Sequence, residues 1–209
     1  MTQKNPRKLY GVGYLKSVMA GTGGGTRWEN NGAFKNAAAF TANLMTNISA
    51  RTMLDVGCGR GWVVYNLRQM GVDAWGCEYG DEAVEHSKCG ALRCDLTVPG
   101  GLPYGEESFD HLNCVGVLSH LPADDAPCAL RELYRVSRGT LWTNILVLRS
   151  GGSSNPGAEH HLNQTTSDWW DVRFAAAGWQ NISEKYNDLY RRHGFGRTPE
   201  QAGRIWRKR

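Results

Sequence analysis

The residues best suited to chemistry in this chain are an acid set among glycines, a second acid further along, and a few histidines. Asp55 precedes Gly57, Gly59 and Gly61 in the run Met53-Leu-Asp-Val-Gly-Cys-Gly-Arg-Gly-Trp62. Glycine serves where the backbone turns sharply and a ligand must come closer than a Cβ permits. The apolar residues before the run read as a strand and those after it as a helix, so the run marks a ligand site at a strand's carboxyl end. The spacing is G-x-G-x-G, not the G-x-G-x-x-G of the dinucleotide fingerprint. Glu78 ends the next strand-like run, 21 residues after Gly57. An acid at an offset of about 20 residues can meet ribose hydroxyls. Of the six histidines, His120 ends a later apolar run, and His160 and His161 follow the one after it. Imidazole titrates near neutrality and is the natural general base.

The elements that must position these residues alternate along the chain. Strand-like runs at 52–56, 72–78, 91–94, 109–117 and 140–148 alternate with helical patterns at 62–70, 81–88 and 122–136. That rhythm means βαβ units and a parallel sheet. Pro122 is read as lying in the first turn of the third helix. A glycine- and serine-rich loop over 150–164 leads to a helix capped by Thr166 or Ser167, with Trp169, Trp170, Phe174 and Ala177 on its apolar stripe. Gly178 stops it, a sixth strand follows over 179–186, and a seventh is placed near 189–192. The organisation read from this is an N-terminal cap on the ligand side over 1–50, a nucleotide-binding domain over 51–192, and a basic, frayed tail over 193–209.

At these residues the sequence resembles the class I S-adenosylmethionine-dependent methyltransferases over roughly 51–185. The resemblance rests on Leu54-Asp-Val-Gly-Cys-Gly-Arg-Gly61, Gly76-Cys-Glu-Tyr-Gly80, Arg93-Cys-Asp-Leu-Thr97 and Phe109-Asp-His-Leu-Asn-Cys-Val-Gly-Val-Leu-Ser-His-Leu-Pro122, in that order. It implies a Rossmann-like, seven-stranded, mostly parallel α/β sheet with helices on both faces. It also implies S-adenosylmethionine as cofactor. Glu78 would hold the ribose diol, Tyr79 would lie against adenine, and Asp95 with the Leu96 backbone would meet the adenine amine. Gly57 and Gly59 would line the methionine portion, with Asp55 orienting the loop near the ammonium and Val115 on the cofactor side. For a hydroxyl acceptor, His120 is the first choice of base, with His161 second, acting from a loop that closes over the acceptor.

Neighbouring families differ at the strand carrying His120. Quinone-biosynthesis O-methyltransferases have Glu-x-x-Glu-His there, whereas this chain has Gly116, Ser119 and His120, so no metal is expected. DNA amino-methylating enzymes have a proline-bearing motif where this chain has Asn113-Cys-Val-Gly116. Cys128 follows a proline, as the nucleophile of cytosine C5 enzymes does, but falls inside a helix. With nucleobase signatures missing and a net charge of only +4, the expected acceptor is a small molecule or glycan hydroxyl. The alternatives are a nucleic acid or protein acceptor engaged through the basic ends, or a non-catalytic cofactor-binding module.

Composition bounds the rest. At 209 residues with 41% hydrophobic and 21% charged residues, one core is expected, and no apolar run approaches the length of a membrane span. No secretory leader is read in the polar N-terminus, so a cytoplasmic protein with reduced, packed cysteines is expected. The Asn-x-Ser/Thr triplets at Asn47, Asn163 and Asn181 are then chance matches.

Overall fold

The computed structural model describes residues 32–147, 161–163, 165–195 and 201–209. Most of the expected N-terminal cap, the glycine cluster at 21–25 and His160 lie outside the described residues. Seven strands form one sheet: β1 Thr52–Val56, β2 Asp73–Glu78, β3 Leu92–Arg93, β4 Phe109–Val115, β5 Ser137–Leu146, β6 Trp179–Asn181 and β7 Gln201–Lys208. Their order is β3-β2-β1-β4-β5-β7-β6. The first five pair in parallel, and β7 runs antiparallel to both β5 and β6. The helices are α1 Gly32–Asn47, α2 Trp62–Gln69, α3 Asp81–Glu85, α4 Ala126–Val136, α5 Ser167–Ala176 and α6 Asn187–Arg192.

Helices cover both faces, which is why β1 and β4 are buried along most of their length instead of alternating between buried and exposed. Leu54, Val56, Leu112, Leu141 and Ile145 pack on one face against Ala129, Leu130 and Leu133 of α4 and Trp170 and Phe174 of α5. On the other face Met53 meets Val64 and Leu67 of α2, while Phe40 and Leu44 of α1 meet Trp142 and Tyr190. Each such leucine contributes roughly 1.5–3 kcal/mol by leaving water. The chain runs from β1 outward to β3, then crosses back to β4 beside β1. That reversal opens a crevice at the carboxyl ends of β1 and β4.

Four expectations are corrected. The first turn of α4 holds Pro127, not Pro122, which precedes a separate 3-10 turn at Ala123–Asp125. The sixth strand is only Trp179–Asn181, followed by a 3-10 turn at Ser183–Tyr186. The residues near 189–192 are helical, because Tyr186, Leu189 and Tyr190 have helical spacing and pack on one side. The basic tail is not frayed: 201–208 is β7, inserted between β5 and β6. Only Ile205 and Trp206 interrupt its run of charge, yet both are buried, one on each face. The Trp206 indole donates to Thr143 Oγ1 at 3.0 Å and stacks on Phe174. The domain boundary at 192 therefore cuts off a strand of the sheet. The cap reading of 1–50 likewise leaves out that α1 is one of the helices packed on the sheet.

Candidate functional site

The glycine run leaves β1 and turns back into α2. Gly57, Gly59 and Gly61 have φ of 74°, 55° and 76°, a region costly for residues with a Cβ. At Gly57 an added Cβ would stand 2.3 Å from Val117 Cγ2, whereas at Gly59 it would meet nothing within 4 Å. Gly57 thus lets the segment after β4 close over the loop, and Gly59 borders open space. The N–H groups of Gly57 and Cys58 both donate to the Cys77 carbonyl, at 2.9 and 3.1 Å. The first turn of α2 carries no acidic residue and no side-chain cap.

Glu78 ends β2 and fastens this loop. Its Oε2 accepts from the Gly59 N–H at 2.8 Å, and its Oε1 from those of Tyr79 and Gly80 at 2.7 and 3.0 Å. Three of the roughly four acceptor positions of a carboxylate are thereby engaged. The Arg93 guanidinium lies 4.9 Å from the centre of the Tyr79 ring and also pairs with Asp81. Asp95 accepts at Oδ1 from the Thr97 N–H and hydroxyl, at 2.9 and 2.6 Å, and its own N–H donates to Gly101 at 3.0 Å. A Cβ at Gly101 would meet the Asp95 carbonyl oxygen at 1.7 Å, so this glycine sets where Asp95 sits. Leu96 is buried, and Val115 is 37% exposed where β4 gives way to Gly116.

Asp55 is buried on β1, in register with Gly76 on one side and Asn113 on the other. Burial, then the nearby Cys89 and Glu78, push its carboxyl up to about 8. A cation brought alongside would favour its charged form.

His120 and His161 come together on the β4–β5 side of the sheet edge. Their rings stack with centroids 4.0 Å apart and 24° between planes. His120 ends a 3-10 turn at Leu118–His120, directly after β4, and the Ser119 hydroxyl lies 2.7 Å from His161 Nδ1. The Ser119 carbonyl also accepts the Asn163 N–H at 2.9 Å. Neither Ser119 nor Asn163 stood out as a site residue, because their partners are more than 40 residues away in sequence. The side-chain oxygen and nitrogen of Asn163 are buried and find no hydrogen-bond partner among the described residues.

The other described histidines serve elsewhere. His111 is fully buried between Thr140 Oγ1 at 2.8 Å and Asn113 Oδ1 at 3.0 Å, and Asn113 donates to Thr41 on α1. Burial lowers it to about 4. His193 joins Asn36 and Asn43 of α1, and His86 is exposed. Trp142, Trp170, Trp179 and Trp206 are fully buried core residues. The basic residues of β7 have partners within the fold: Arg204 with Asp171, Lys208 with Glu107. Among the described residues no group of three His, Cys, Asp or Glu is arranged to hold a metal ion, and no helix is long and apolar enough to cross a membrane.

Residues 54–141 match the family model described as a methyltransferase domain. Over 93 residues the chain is 31% identical to a malonyl-[acyl-carrier protein] O-methyltransferase of Erwinia pyrifoliae, covering 43% of this chain and 34% of that protein. The chain thus spans about a third of that curated relative's length. Among solved structures, the CcbJ methyltransferase from Streptomyces caelestis superposes with a TM-score of 0.66 at 15% identity, over 92% of this chain and 96% of that one. The magnesium protoporphyrin IX methyltransferase of Synechocystis, solved with bound SAH, gives 0.64 at 14% identity, over 97% and 98%.

Proposed function

We propose that this chain is a class I S-adenosylmethionine-dependent methyltransferase, a reading supported by the methyltransferase-domain match over residues 54–141, and that it transfers a methyl group to a hydroxyl of a small molecule or glycan. The observation that carries this reading is the stacked His120–His161 pair, held by Ser119 where β4 meets the glycine loop. Bound S-adenosylmethionine supplies a methyl group on a positively charged sulfur, with a neutral thioether as leaving group. The residues present suit that molecule. Gly59 borders open space where a side chain would intrude, and Asp55 offers a buried carboxyl to an ammonium. Glu78 and Asp95, at the ends of β2 and β3, would receive ribose and adenine, beside Tyr79, Leu96 and Val115.

What the chain itself must do is align the acceptor oxygen and remove its proton. His120 is assigned the base. The Ser119 hydroxyl, 2.7 Å from His161 Nδ1, fixes the orientation of the ring that stacks on His120. The Asn163 amide, unpartnered among the described residues, offers N–H donors and an acceptor oxygen, suited to a polyhydroxyl acceptor. The O-methyltransferase named among the relatives supports oxygen as nucleophile.

The test pairs methyl-acceptor screening by mass spectrometry with calorimetry of S-adenosylhomocysteine (SAH). His120→Ala should lower kcat by roughly a hundredfold while SAH affinity stays near wild type. Near-normal turnover in that variant, with His161→Ala inactive, would move the base to His161. Full activity in both would remove histidine from the chemistry.

A further inference from the structure

The glycine loop is backed by a thiol pair that methyl transfer does not use. Cys58 lies within the loop, between Gly57 and Gly59, and Cys89 follows α3. Both sulfurs occupy the space that Gly76 of β2 leaves by lacking a side chain: an added Cβ would stand 2.8 Å from Cys58 Sγ and 2.9 Å from Cys89 Sγ. Gly61 closes on the same sulfur, since a Cβ there would meet Cys89 Sγ at 2.5 Å. Two glycines thus converge around two thiols that are both free.

The two thiols differ in character. A hydrogen bond with Cys58, the Ser87 hydroxyl and the Arg68 guanidinium bring Cys89 down to about 6, against an opposing effect of burial. The Ser87 oxygen lies 3.2 Å from Cys89 Sγ, and Arg68 Nη1 donates to the Cys89 carbonyl at 2.9 Å. The hydrogen bond with Cys89 and burial hold Cys58 far above the ordinary thiol range. A thiolate beside a protonated partner thiol is the arrangement of an attacking and a resolving cysteine.

We propose that Cys89 and Cys58 form a peroxide-sensitive modification site that reports on the cofactor loop. Cys89 thiolate attacks one oxygen of hydrogen peroxide; the O–O bond breaks, hydroxide leaves, and Cys89 becomes a sulfenic acid. The Cys58 sulfur then attacks the Cys89 sulfur, and the sulfenic oxygen leaves as water with the Cys58 proton. The two cysteines lose two electrons in all, and the peroxide gains them. A disulfide here ties the tip of the loop to the segment after α3 and takes from Cys58 the freedom the loop needs around the cofactor. Coupling is reciprocal, so bound cofactor should in turn slow the oxidation.

The inference rests on the cofactor reading, and the experiment keeps the two apart. Full-length reduced protein is treated with hydrogen peroxide, mapped by peptide mass spectrometry, and titrated with SAH before treatment, after it, and after reduction with dithiothreitol. The expected result is a Cys58–Cys89 cross-link, a loss of SAH affinity of at least tenfold, and recovery on reduction. Cys89→Ser should bind SAH when reduced and keep that affinity after peroxide. Should that variant fold poorly, the wild-type map and the slowing of cross-linking by saturating SAH decide the matter. A cross-link at Cys77–Cys94 instead, or a Cys58–Cys89 cross-link that leaves affinity unchanged, overturns the proposal. Reduced wild type that does not bind SAH overturns the cofactor reading, while the cross-link map still reports on the thiols.

Discussion

The carboxyl edge of the sheet is assembled in two different ways on either side of the β1–β4 crevice. On the β1–β3 side the framework is backbone: three glycines at positive φ, a carboxylate accepting three N–H groups, and an aspartate seated against a glycine. On the β4–β5 side it is side chain meeting side chain: His120 on His161, Ser119 on His161, and His111 linking Thr140 to Asn113 and so to α1. The first kind of site depends on conformations few residues can adopt, so it leaves a mark in a short stretch of sequence. The second depends on which distant segments arrive together, and many sequences can bring that about.

The largest effect expected from this contrast is in acid stability, on the side-chain half. The folded His111 pKa of about 4 lies below the 6.5 of the exposed group. Between those values the unfolded chain binds the extra proton, so stability falls as the pH drops through that window, by about 3 kcal/mol in total. Chemical denaturation from pH 7.5 to 4 should show this loss as the difference between wild type and His111→Gln, since the raised Asp55 carboxyl contributes with the opposite sign in both proteins over the same range. An unchanged slope in the variant would mean that this network does not hold a neutral imidazole.

Next in size is Gly57→Ala, on the backbone half. A positive φ costs an alanine roughly 1–2 kcal/mol, and the collision with Val117 adds strain of the same order. SAH affinity should fall by roughly a hundredfold, read by calorimetry. If Gly57→Ala binds normally, cofactor binding does not depend on the close approach of Val117 to the loop. The smallest effect is expected for Ser119→Ala. Loss of one hydrogen bond to His161 is worth about 0.5–1.5 kcal/mol, so kcat should fall only two- to tenfold, with SAH affinity unchanged. A loss as deep as that proposed for His120→Ala would show that Ser119 does more than orient a ring.

The sequence by itself determined the backbone half. The run 52–56 forms a strand with the limits read from it, Gly57, Gly59 and Gly61 all adopt the left-handed region, and Glu78 ends β2. Glycines at such positions and continuous apolar runs under helices are local consequences of sterics and burial, so a linear pattern carries them. Tertiary structure alone decided that 201–208 is a strand. Its sheet position buries Ile205 and Trp206 on opposite faces while its arginines and lysine find partners around it, and nothing in a basic run announces those neighbours. The same holds for the junction of Ser119 with His161 and for the two thiols sharing the space beside Gly76. Each is a meeting of segments far apart in the chain, fixed by how the whole sheet is wound.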